Sequence, residues 1–117
     1  FLGTESVWAA EASECANEQG KFWEFHDWLY NNQAPESDLA YYSKDNLIKY
    51  ASNVGVDTNQ FASCLSSDKY AKAVQDDLTA GKLAGVNGTP TLFVNGIPIV
   101  GAPPYTAFKT VIDQELK

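Results

Sequence analysis

The chain has 117 residues, 44% of them hydrophobic and 13% aromatic, enough apolar material for one small folded domain and too much for a disordered tail. A net charge of -7 and a pI near 4.4 argue against nucleic acid or an anionic membrane surface as partner, and are read simply as a solubility device. No apolar run reaches the roughly 18 residues of a membrane span, and no basic and apolar leader is present.

Helix signals fill the chain from residue 4 to residue 84. Thr4 is an expected N-cap ahead of "ESVWAAEASECANEQ", rich in alanine and glutamate and stopped by Gly20. "KFWEFHDWLYNN" predicts a short aromatic helix with Phe22, Phe25, His26 and Leu29 on one face. His26, the single histidine, is expected in a packing role, as are Phe22, Trp23, Phe25 and Trp28. Gln33 to Ser37, carrying Pro35, reads as a loop.

Ser43 then caps a helix with Leu47, Ile48 and Ala51 as its apolar stripe and Gly55 as its stop. Asp57 and Gln60 have capping-box spacing, with Asp in place of Ser or Thr, ahead of "FASCLSS". "DKYAKAVQDDLTAGKLAG" predicts a longer amphipathic helix carrying Tyr70, Ala73, Val74, Leu78 and Leu83.

The apolar period then changes from helical spacing to that of strands. Thr91–Val94 and Ile97–Val100 are β-rich runs joined by Asn95-Gly96, a strong hairpin signal because both turn residues tolerate positive φ. "PPYTAFKTVIDQELK" closes as a helix, with Tyr105, Phe108, Val111, Ile112 and Leu116 on its expected buried side. Both strands are apolar along their length, and a lone two-stranded hairpin is marginal in water, so these strands call for neighbours.

Thr89-Pro90 stands at the mouth of the first strand, where a proline that cannot donate to a ladder is tolerated. The block "GVNGTPTLFVNGIPIVGAPPYTAF", with "AAEASECANEQGKFWEFHDWLYNNQ" and "YASNVGVDTNQFASCLSS" before it in that order, resembles a DsbA-like thiol-disulfide oxidoreductase of the thioredoxin-fold superfamily. The resemblance implies an α/β fold: a partial thioredoxin-like ββα half at residues 85–117, and a large inserted α-helical subdomain at residues 1–84. It implies a cis Thr89-Pro90 bond, with Gly88, Thr89 and Pro90 contacting the backbone of an extended protein substrate, and Gly85 and Gly88 allowing close backbone approach to a catalytic helix. The residue before the proline, Thr89, would also help set the redox poise of the cysteine pair.

The family's catalytic Cys-x-x-Cys is absent, since Cys15 and Cys64 are the two cysteines of the chain. With no methionine and a start at Phe1, the sequence is expected to be a trimmed or processed carboxy-terminal portion, without catalytic residues or turnover of its own. Too few for a zinc site, Cys15 and Cys64 are left by the residues as packing side chains or as a bridge. The resemblance favours a structural disulfide, because some DsbA-like proteins carry a second bridge in this subdomain. Closing that loop would contribute about 4 kcal/mol on the chain-entropy model.

No metal or cofactor is expected. The implied partners are extended protein or peptide substrates and a redox partner, and the implied location is exported: periplasmic or extracytoplasmic, with a membrane tether a further option. A homodimer or strand-swapped assembly would cover the hairpin's apolar strands. The alternatives are a non-catalytic thioredoxin-like peptide-binding module and a kappa-class glutathione transferase or isomerase relative, against which Thr89 counts.

Overall fold

A computed structural model of the chain describes residues 2–117, in the order α1 (Thr4–Asn17), α2 (Phe22–Asn31), α3 (Lys44–Ala51), a 3-10 turn (Ser52–Val54), α4 (Thr58–Ser66), α5 (Ala71–Leu83), β1 (Thr91–Val94), β2 (Ile97–Val100) and α6 (Tyr105–Glu115). The backbone divides into two compact units, one ending at Leu78 and the other beginning at Thr79.

In the first unit, α1 through α4 close around Ala12, Cys15, Ala16, Phe25, Leu47, Ala51, Phe61, Cys64 and Leu65, all buried. Phe25 of α2 and Phe61 of α4 meet edge to face, with ring centroids 5.6 Å apart, the arrangement that ring quadrupoles favour. Trp8, Leu29, Tyr42, Ile48, Val54 and Tyr70 pack around this centre. Each buried side chain of Phe or Leu size contributes roughly 1.5–3 kcal/mol relative to exposure, so this cluster is the main source of the unit's stability.

The local signals of the helix ends hold in most places and fail in one. The Ser43 side chain accepts the Asn46 N–H, Gly55 stops the 3-10 turn at φ 78°, and the Asp57 carboxylate accepts the N–H groups of Asn59 and Gln60. Thr4, expected to cap α1, is instead its first residue, and the cap position falls to Gly3 without a side-chain bond. The capping box at Asp57 is completed from outside its own helix. Gln19, just beyond α1, accepts the Asp57 N–H through Oε1 (2.6 Å) and donates from Nε2 to the Asp57 carbonyl (3.1 Å), leaving the Gln60 side chain to serve Glu18.

The aromatic helix α2 departs from its expected pattern. Phe25 is fully buried and Leu29 packs on the core, but Trp23 stands 66% exposed. Phe22, Trp23, His26 and Tyr30 form a chain of ring contacts along the outer side, with centroids 4.6–6.0 Å apart. His26 is therefore a partly exposed ring, bonded to the Asp27 carboxylate at 3.0 Å, and not a core histidine. The reason is geometric: a ten-residue helix has one face on the core, and Phe25 and Leu29 occupy it.

In the second unit, β1 and β2 form a two-stranded antiparallel sheet with Thr91 opposite Val100 and Val94 opposite Ile97. Asn95 (φ 48°) and Gly96 (φ 81°) make the turn, both left-handed as the hairpin twist requires. Helix α6 packs on β1 through a half-buried side that includes Phe108 and Val111, while Tyr105, Ile112 and Leu116 of the expected stripe are exposed. Of the stripe expected here, Tyr70 just before α5 and Val74 and Leu78 on it are half-buried, but Ala73 and Leu83 face solvent.

Candidate functional site

The segment from Gly85 to Thr91 links α5 to β1, and its backbone bonds define it. The Val86 N–H reaches the Gly81 carbonyl and the Gly85 N–H the Lys82 carbonyl, both at 3.0 Å, a paired closure of a helix end that puts Gly85 at φ 87°. The requirement at Gly85 is thus conformational. A Cβ on Gly85 or Gly88 would meet no atom within 4 Å among the described residues, and the catalytic helix that the resemblance sets against these glycines is not part of this chain.

Beyond Gly88 the Thr89–Pro90 peptide bond is cis. The Gly88 carbonyl accepts the Thr91 hydroxyl at 2.6 Å, and the Pro90 carbonyl accepts the Gly101 N–H at 2.8 Å. That second bond extends the ladder one step past the Thr91–Val100 pair. Bonded and non-bonded pairs alternate in an antiparallel ladder, so the N–H and C=O of Thr91 point away from β2. Thr89 and Pro90 are exposed, and the backbone polar groups of Thr89 have no hydrogen-bond partner among the described residues. The result is a strand edge with unused donors and acceptors, opened by an exposed two-residue step. Chemically it suits an extended polypeptide, which pairs with such an edge through its own backbone.

Cys15 and Cys64 are joined as a disulfide, with Cα atoms 5.9 Å apart, and tie α1 to α4 inside the core of the first unit. Neither remains a free thiol. Around the bridge lies a cluster with no counterpart in the sequence motifs. Glu18 accepts hydrogen bonds from the Lys69 ammonium and from the Tyr70 hydroxyl, the latter at 2.9 Å. The Lys69 bond, followed by the Tyr70 bond, holds the Glu18 carboxyl below its ordinary range, and the same carboxylate pushes Lys69 and Tyr70 upward. More than 50 positions of sequence separation, with 51 to Lys69 and 52 to Tyr70, hide this cluster from any local pattern.

Glu11 is the buried charged residue of the described chain, 3% exposed, with Oε1 unpartnered. Burial raises its pKa; Lys44 opposes that shift and Asp68 adds to it. Lys44 is meanwhile bonded to Asp68 at 2.6 Å and lies 5.9 Å from the centre of the Trp8 ring. The alanine-rich composition of α1 gave no sign that this glutamate faces inward. A cavity of about 620 Å³, lined by Glu5, Trp8, Glu36, Asp38 and Tyr42 among others, contains none of the site residues expected from sequence. Among the described residues no group of three or more His, Cys, Asp or Glu side chains is placed to hold a metal ion, and no helix is long and apolar enough to cross a membrane.

The helical unit, hairpin, cis-proline step and closing helix together define a partial thioredoxin-like α/β fold. A family model described as thioredoxin matches residues 1–114, and the chain belongs to that family, among its DsbA-like members. Over its whole length it is 31% identical to the probable disulfide bond formation protein D of Bacillus cereus and 29% identical to that of Bacillus anthracis, of which it covers 55% and 54%. Over 88 residues, 75% of the chain, it is 40% identical to a Na(+)/H(+) antiporter NhaA 3 of Salinispora tropica, covering 13% of that protein. The chain thus spans about half the length of the disulfide bond formation proteins and a small part of the antiporter. No solved structure matches it.

Proposed function

We propose that this chain serves a DsbA-like protein that exchanges disulfides with exported protein substrates, and that it supplies the surface on which an extended substrate segment lies. Gly88, Thr89 and Pro90 form the step at which the substrate backbone pairs, and the outer edge of β1 continues the pairing through Thr91. The observation that carries this reading is the exposed Thr89, whose N–H and C=O are unpaired among the described residues, next to a strand edge whose polar groups point outward. Membership in the family of the disulfide bond formation proteins supports the chemistry, and their name supports a site outside the reducing cytoplasm. Cys15 and Cys64, bonded within the helical core, hold a structural role in this scheme.

Amide NMR of the isotope-labelled chain, titrated with an unfolded polypeptide whose cysteines are reduced and alkylated, tests the surface without any redox step. The expected outcome is shifts at the amides of Gly88, Thr89 and Thr91, with α1 and α4 silent. Saturable binding with shifts confined to the helical unit would refute it.

A further inference from the structure

The chain holds two Asn-Gly pairs, Asn87-Gly88 and Asn95-Gly96, and the fold constrains them differently. Asn95 and Gly96 sit in the hairpin turn at φ 48° and 81°, held between the paired strand residues Val94 and Ile97. Asn87 is exposed and lies outside any helix or strand. Neither its side chain nor its backbone groups, nor the Gly88 N–H, has a hydrogen-bond partner among the described residues. The flanks of this pair are fixed. The Val86 N–H is bonded to the Gly81 carbonyl on one side, and the Gly88 carbonyl accepts the Thr91 hydroxyl on the other.

We propose that Asn87 is a site of spontaneous succinimide formation, and that its conversion to a β-linked aspartate weakens substrate binding at Gly88, Thr89 and Pro90. The Gly88 nitrogen, giving up its proton to solvent base, attacks Cγ of Asn87. A nitrogen–carbon bond forms, the Cγ–Nδ2 bond breaks, and Nδ2 leaves as ammonia with a proton supplied by water. Water then opens the five-membered ring. Attack at the former backbone carbonyl leaves the chain running through Cβ, with a free carboxylate on Cα; attack at Cγ leaves an ordinary aspartate. The sum is amide plus water to carboxylate plus ammonium, with nothing oxidised or reduced.

Two features select Asn87. Ring closure needs the following nitrogen to come close to eclipsing Cβ, and a residue held in the left-handed region reaches that arrangement only by turning its backbone. At Asn95 such a turn breaks the Val94–Ile97 pairing, so reaction waits on local opening of the hairpin. At Asn87 no hydrogen bond opposes it, and Gly88, lacking Cβ, leaves its nitrogen unshielded. The effect on the step follows from the fixed flanks: a β-linkage adds one backbone atom between two anchored points, so Gly88 and Thr89 must shift. A carboxylate also comes to stand two residues from Thr89, in a chain already at -7. That effect rests on the proposed substrate surface, whereas the chemistry at Asn87 does not.

The whole chain is incubated at mildly alkaline pH, sampled over weeks, digested and mapped by mass spectrometry with fragmentation that separates β-linked from ordinary aspartate. Methyl transfer by a protein isoaspartate methyltransferase gives an independent measure of β-linkages. The β-aspartate is expected at position 87, at least about tenfold ahead of position 95, with the ratio collapsing once the chain is unfolded in guanidinium. Aged chain should bind the alkylated unfolded polypeptide several-fold more weakly than fresh chain. Asn87→Gln, whose longer side chain would have to close a six-membered ring, should keep the fresh affinity throughout. Equal conversion at the two positions of the folded chain, no conversion at position 87, aged chain binding as fresh chain does, or an equal loss of affinity in Asn87→Gln would overturn the proposal. Fresh chain that fails to bind while position 87 converts would instead refute the substrate surface, and the regulatory half of the proposal with it.

Discussion

The helical unit and the hairpin unit are both built from strongly apolar segments, yet only one of them buries what it carries. Every buried residue of the described chain lies between Glu11 and Leu65. Past Thr79 none does, and Leu92, Phe93, Ile97 and Val100 are exposed. Helices satisfy their own backbones and need only close their apolar stripes against one another, which α1 to α4 do with a disulfide at the centre. A strand satisfies half its backbone from each neighbour, so a two-stranded sheet leaves two edges and much of its faces open. On the proposed reading that openness is what receives a substrate segment: the edge beside Thr89, unpaired among the described residues, is the same feature that makes the unit weakly self-supporting.

The sharpest way to break this contrast is to hollow the helical core. Phe61→Ala removes the ring that meets Phe25 and should cost about 3–5 kcal/mol. Thermal or denaturant melts followed by far-UV circular dichroism would show it, and hydrogen exchange should place the loss in α1 and α4. The hairpin has its own weak point in the turn. Gly96→Val forces a β-branched residue to φ 81° and should cost about 1–2 kcal/mol, felt in the Thr91–Val100 pairing and absent from the helical melt.

A smaller and opposite effect is expected at Glu11. Its folded-state pKa is raised by burial, so the folded chain holds the proton more tightly than the unfolded one. The destabilisation from ionising it is therefore absent below the ordinary value near 4.5, grows as pH rises above it, and levels off past the raised folded value. Glu11→Gln should raise stability at neutral pH by about 1 kcal/mol and leave it nearly unchanged in acid. Melts of both chains across that range would check the sign. A variant destabilised at neutral pH would mean that the Lys44 attraction outweighs the burial of the charge.

The two regions also differ in how much of them the sequence discloses. Asn95-Gly96 between β-rich runs specifies the hairpin, because few other residues adopt two successive positive φ angles. Gly55, Ser43 and Asp57 mark helix ends for equally local reasons. The strip of residues at Gly88–Thr91 was legible as a candidate surface through its resemblance to a known family. The bonds that turn the Thr91 polar groups outward emerge only once β1 and β2 are in register. In the helical unit, periodicity finds Leu47, Ala51 and Phe61 but misjudges Trp23 and His26, since a stripe of rings does not say which ring the core has room for. Contacts such as Gln19 with Asp57 and Glu18 with Lys69 join residues 38 and 51 positions apart, and no spacing rule reaches them.

The most direct test of the central claim is hydrogen–deuterium exchange of the whole chain, resolved by residue, with and without a saturating unfolded polypeptide whose cysteines are alkylated. The account predicts that amides at Thr89 and along the outer edge of β1, Thr91 foremost, gain protection while those of α1, α3 and α4 do not change. Protection appearing on the helical unit with the Thr89–Val94 edge unaffected would contradict it.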